Sequence, residues 1–105
     1  MRRSTELSET EIGRNSIVCW SSAAVATEVN GEVVLMNLER DRCHGLGDTG
    51  SAIWRRLREP VCVTELTVQL EAEYEAAPGE IELDVLRTLG EFAAEGLIQV
   101  CAPSQ

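Results

Sequence analysis

Four cysteines, Cys19, Cys43, Cys62 and Cys101, and the single histidine, His44, are the side chains best suited to metal ligation or nucleophilic chemistry. Their spacing supports neither. No two cysteines stand in a C-x-x-C arrangement that would preform half a zinc site, and their scatter is not the dense framework of a small secreted domain. Cys43 and His44 are adjacent, yet neighbouring side chains on an extended segment point to opposite faces, whereas a thiol and its base usually meet from distant positions. The cysteines are therefore expected to be reduced and mostly buried or half-buried as small apolar groups. The sequence holds no P-loop, no H-E-x-x-H and no G-x-S-x-G run, so it predicts no catalytic residue, no metal and no cofactor.

Charge narrows the partners. With 18 acidic against 9 basic residues the chain carries a formal charge of −9, a field that repels phosphate backbones and favours a basic or neutral peptide. Arg40, Arg42, Arg55, Arg56 and Arg58 form a local basic cluster suited to solvation or to an acidic patch on a partner. Residues Met1 to Arg14 contain arginines but no apolar h-region, and no apolar run approaches the roughly 20 residues needed to cross a bilayer. A cytoplasmic protein without a membrane partner is expected. At 105 residues the chain suits one domain with a modest core.

The elements that would position these residues read in order. Val33, Val34, Leu35, Met36 and Leu38 make a short apolar strand, and Asn30-Gly31 before it tolerates the positive φ of a tight hairpin. Its partner is Ala23 to Val29, and Ile17 to Trp20 offers another strand, so a three-stranded antiparallel N-terminal sheet is predicted. Glu39-Arg40-Asp41-Arg42 is too charged to bury. Asp48 or Thr49 can cap a helix that buries Ile53, Trp54 and Leu57. A second helix begins near Thr64 with Leu66, Leu70 and Tyr74 on one stripe, and Pro78 and Gly79 end it. A third begins near Glu80, places Ile81, Val85, Leu89, Phe92 and Ala93 toward the core and stops at Gly96. Leu83, Leu86 and Gly90 form a flanking strip that the core alone does not explain. Leu97 to Val100 returns as a strand or tail. The expected organisation is a flexible segment over 1–14, a domain over 15–101 and a flexible tail over 102–105. The fold class is α+β, winged helix-turn-helix-like, with that sheet followed by three helices.

The run VVLMNLERDRCHGLGDTGSAIWRRL, followed by VTELTVQLEAEY and DVLRTLGEFAAEGLIQV, resembles the PqqD-like recognition elements of ribosomally synthesised, post-translationally modified peptide (RiPP) pathways. The stand-alone members of lasso peptide pathways are the most similar in kind. The resemblance spans roughly Ile17 to Val100. One departure is Cys43-His44, where similar proteins often carry aromatic residues.

The resemblance implies a non-catalytic protein that binds the leader of a precursor peptide as a strand added to the third strand and packed on the third helix. An exposed sheet edge beside an apolar helix flank is suited to that use. Carried onto this sequence, the implied leader-binding residues are Val33, Val34, Leu35, Met36, Asn37 and Leu38 on the strand, with Leu83, Leu86, Arg87 and Gly90 on the helix. The implied partners are the precursor leader and a cysteine-protease-like leader peptidase. An unpaired edge also allows a weak edge-strand dimer beside the monomer. Within the family, service to a radical enzyme, as in pyrroloquinoline quinone maturation, is the alternative. A winged-helix DNA-binding regulator is allowed by the fold. It is opposed by Glu65, Glu71, Glu73, Glu75, Glu82, Asp84, Glu91 and Glu95 against Arg87 alone on the later helices. A carrier protein modified on Ser51 is a third class, opposed by the upstream strands.

Overall fold

The computed structural model describes residues 12–101. Its elements are β1 (Ile17–Trp20), β2 (Ala24–Val29), β3 (Glu32–Asn37), β4 (Arg42–Gly45), α1 (Asp48–Arg56), β5 (Val61–Cys62), α2 (Val63–Glu73), α3 (Glu80–Ala94) and β6 (Ile98–Cys101). Two antiparallel sheets form, in the orders β5-β1-β6 and β2-β3-β4. This is an α+β fold with three helices among the described residues.

The sheet arrangement corrects the expected one. β1 does not join the hairpin; it pairs with β5 and β6. The third strand of the hairpin sheet is β4, which begins at Arg42, the last residue of the charged stretch, and runs through Cys43 and His44 to Gly45. Met36 pairs with Cys43 and Asn37 with Arg42. Arg42 to Gly45 escapes detection because an edge strand with only His44 half-buried needs no apolar alternation. Two residues of the segment before residue 15 make contacts with the domain. Ile12 packs on the core, and the Arg14 carbonyl accepts the Thr64 N–H at 3.0 Å and the Thr64 hydroxyl at 2.8 Å. Residues 1–11 and 102–105, expected to be flexible, lie outside the described residues.

Local chemistry explains most element ends. Asn30 and Gly31 take φ of 54° and 84°, the left-handed pair that a two-residue hairpin turn requires. Gly96 stops α3 at φ 72°, and a Cβ there would lie 2.7 Å from Asn37 Nδ2, so both backbone and space demand glycine. The expected side-chain cap from Asp48 or Thr49 is not made: the N-cap of α1 is Gly47, without a side-chain hydrogen bond. Ser51 instead fastens the helix to its neighbours. Its hydroxyl accepts the Val33 N–H at 3.0 Å and donates to the Leu46 carbonyl at 3.4 Å, tying α1 to β3 and to the loop after β4. Ser51 is 1% exposed, which leaves no room for the modification a carrier serine needs.

One core joins both sheets to the helices. Val33 and Leu35 from β3 meet Ile53, Trp54 and Leu57 of α1, Leu66 and Leu70 of α2, and Val85, Leu89 and Phe92 of α3. Each such buried side chain contributes about 1.5–3 kcal/mol by leaving water. Trp54 stacks on Trp20 with centroids 5.0 Å apart and meets Phe92 edge-on at 5.7 Å, and Trp20 Nε1 donates to the Trp54 carbonyl at 2.8 Å. No helix among the described residues is long and apolar enough to cross a membrane.

Candidate functional site

β3 is hydrogen-bonded on both sides, so the outer edges of its sheet belong to β2 and β4. Pairing parity shows which groups each edge offers. Backbone bonds from Leu38 to Ala23 and from Leu46 to Val33, with the strand registers, turn the N–H and C=O of Val25, Thr27 and Val29 toward β3. Those of Ala24, Ala26 and Glu28 then point outward from β2, and those of Cys43 and Gly45 outward from β4.

The β4 edge lies against the C-terminal end of α3. Glu95 Oε1 is 3.5 Å from His44 Nε2, 3.8 Å from Arg42 and 4.0 Å from Arg40. Arg40 also donates to the Ala94 carbonyl at 2.7 Å. These half-exposed pairs add little stability each, about 0–1 kcal/mol, but they orient the strand. Asn37 does more: buried at 2% exposure, it donates to the Glu95 and Gly96 carbonyls at 2.8 and 3.1 Å and accepts the Glu39 N–H at 2.7 Å. At 100° per residue, Thr88 and Ile81 lie within about 20° and 40° of Glu95 around the helix, on the same side of α3.

The β2 edge lies against α1 instead. Between them is a cavity of about 350 Å³ lined by Trp20, Ala26, Val33, Trp54, Arg55 and Arg58, among others. Arg55 Nε donates to Glu28 at 3.1 Å and its NH2 to the Gly31 carbonyl at 3.0 Å, which braces the hairpin against the helix.

Comparison with known proteins now decides the family. The sequence profile described as Coenzyme PQQ synthesis protein D (PqqD) matches residues 32–98. The chain belongs to the PqqD family. Among solved structures, TbiB1 in complex with the TbiA(beta) leader peptide is 31% identical, with 80% of this chain and 98% of that one covered and a TM-score of 0.73. The PqqD truncation of Methylobacterium extorquens PqqCD, solved in solution as a functional and stand-alone RiPP recognition element, is 21% identical. There the coverage is 86% of this chain and 96% of that one, and the TM-score is 0.71. No curated protein matches the chain in sequence.

The expected site residues of this PqqD-family protein fall in three groups. Val33, Leu35 and Asn37 are buried and Val34 and Met36 half-buried in a strand closed on both edges, so β3 cannot accept an added strand. Leu38, 61% exposed, follows that strand. The third strand of the hairpin sheet is β4, because β1 pairs elsewhere. On α3, Leu86 and Gly90 sit about 180° and 140° around the helix from Glu95, on the flank away from β4. Glu82, on that same far side, pairs with Arg14 at 2.8 Å. Leu83 is 70% exposed, and Arg87 is held by Asp84 at 3.1 Å; both point out between the flanks. The reading missed Cys43, Gly45, Thr88, Ile81 and Glu95 as edge and flank residues.

Three of the four cysteines are half-buried, as expected, and Cys43 is exposed. Cys19 and Cys101, far apart in sequence, stand with sulfurs 2.9 Å apart across β1 and β6. The shared hydrogen bond, with burial and the second thiol's charge, pushes Cys101 up to about 11.

Proposed function

We propose that this PqqD-family chain binds the leader of a ribosomally made precursor peptide as a strand added to the open edge of β4, against the Ile81–Thr88–Glu95 flank of α3. The observation that carries this reading is the solved complex of TbiB1, 31% identical, with a leader peptide. The open edge beside a helix supplies the physical means. Outward amides and carbonyls of Cys43 and Gly45 give affinity that any extended guest can use, and the strip between strand and helix selects side chains at alternate guest positions. In this reading the β2-β3-β4 sheet is the wing of a winged helix-turn-helix-like domain, and the chain itself performs no chemistry.

Delivery follows from tethering. A leader held here keeps its cleavage site near a bound leader peptidase, so capture becomes effectively intramolecular. We assign the chain to a cytoplasmic lasso peptide pathway on the sequence resemblance and on its free thiols, which suit a reducing compartment. A second reading, service to a radical enzyme as in pyrroloquinoline quinone maturation, is favoured by the description of the matching family.

Fluorescence anisotropy of labelled leader peptides, from lasso precursors and from the pyrroloquinoline quinone precursor, separates the two. Cys43→Pro removes one outward N–H without touching the β3 pairing, and at least a tenfold loss of leader affinity is expected. Ala26→Pro, the same change on the other edge, should leave affinity within twofold. Unchanged binding by Cys43→Pro, with circular dichroism confirming the fold, would reject the β4 edge.

A further inference from the structure

The edge that the leader does not use in the reading above is also built to receive a strand. Among the described residues β2 has one partner, β3; the backbone groups of Ala24, Ala26 and Glu28 face outward from it, and Ala26 and Glu28 line the cavity beneath. Below that edge Trp20, Trp54 and Val33 offer an apolar floor. On its other face the sheet shows Val25 and Val29, about half exposed, with Met36 beside Val25. A strand laid on β2 would therefore meet two environments at alternate positions, the cavity below and an aliphatic surface above.

Charge selects the guest. Arg55 and Arg56 of α1 pair with Glu28 and Glu73, which leaves Arg58 at the cavity rim without a carboxylate partner among the described residues. An unpaired guanidinium beside indole rings and an open strand edge suits a carboxylate presented from a neighbouring backbone. The chain is −9 overall, so an acidic guest is held here by local contact with the guanidinium and not by long-range attraction.

We infer that the β2 edge docks an extended segment of a partner protein in which acidic residues alternate with aliphatic ones, the acids facing Arg58 and the aliphatic side chains facing Val25 and Val29. The two guests then occupy opposite edges of one three-stranded sheet and bind together without competing. This rests on the leader-binding reading only for the identity of the second guest, since the β2 groove stands on its own geometry.

The test needs no known partner. A displayed library of random ten-residue segments is selected on the intact protein, and enriched peptides are synthesised and titrated while amide chemical shifts are followed. The expected result is an alternating acidic–aliphatic pattern, with the largest shifts at Ala24, Ala26 and Glu28. Arg58→Glu and Ala26→Pro should each weaken binding at least tenfold, and Cys43→Pro should leave it within twofold. Arg58 is exposed, so its replacement leaves the core intact. The inference is overturned if no segment is enriched, if enriched segments lack acids, if they shift β4 rather than β2, or if two copies of this chain pair through β2 and exclude them. Leader titration on the same variants reports separately, so loss of one reading does not remove the other.

Discussion

The β2 and β4 edges of one sheet carry the same kind of backbone and stand against opposite chemistry. β4 faces the C-terminal end of α3, where Glu95 is met by Arg40, Arg42 and His44. β2 faces α1, where Arg58 rims a cavity floored by two stacked indoles. Strand addition supplies generic affinity at either edge, so the helix beside the edge does the choosing. At β2 the proposed acidic guest would meet Arg58, whereas at β4 the Glu95 carboxylate is already met by Arg40 and Arg42.

Asn37→Ala should break this comparison most severely. It removes two donors to the end of α3 and an acceptor for Glu39, and a buried network cut this way costs about 2–4 kcal/mol. Urea unfolding should show that loss. In the surviving fold the β4 guest should weaken well beyond the β2 guest, because Asn37 ties the sheet to α3 and not to α1. Equal weakening of both would mean that the edges share one support.

Gly90→Ala sharpens the assignment of flanks. A Cβ at Gly90 meets nothing within 4 Å, so relief of the helix penalty of glycine should stabilise the protein by about 0.5–1 kcal/mol. Leader affinity should stay within twofold; a clear change would return the leader to the Leu86–Gly90 side of α3.

Thiol chemistry gives the smallest and most selective effect. At pH 8 a maleimide should label exposed Cys43 first and lower leader binding modestly, sparing the β2 guest. Cys101, pushed up from 9.0 to about 11, should react slowly until the pH nears that value. Because its folded pKa is raised, the stability it contributes is complete below 9.0 and is lost as the pH rises through about 11. Mass spectrometry of peptides labelled across that range checks the order; early labelling of Cys101 would contradict the shared hydrogen bond with Cys19.

Much of this was legible in the residues, and the exceptions have physical causes. Asn30-Gly31 announces its turn because positive φ is costly for most residues, and Val85, Leu89 and Phe92 announce a helix by their period. β4 was hidden because Arg42, Cys43 and Gly45 are exposed: a short strand with one open edge buries almost nothing that sequence can display. β1 was assigned to the neighbouring hairpin because it is next in sequence, while its partners at Cys62 and at Ile98 to Cys101 lie far along the chain. The apolar strip on α3 said that a flank was unusual, not which neighbour faced it. Glu95, the residue that marks the β4 side, looks in sequence like any solvated acid.

The separation of the two sheets also bears on how the protein reaches its native state. The β2-β3-β4 meander joins residues within one short stretch, whereas β1 finds β6 only by closing a loop from Trp20 to Ile98. Hairpins close in about 1–10 μs, and long-range pairing is slower because the loop entropy must be met first. Refolding should therefore be paced by the β1–β6 closure that completes the second sheet. Until it is made the second sheet is incomplete, and the unpaired strand edges leave the protein most open to pairing with copies of itself.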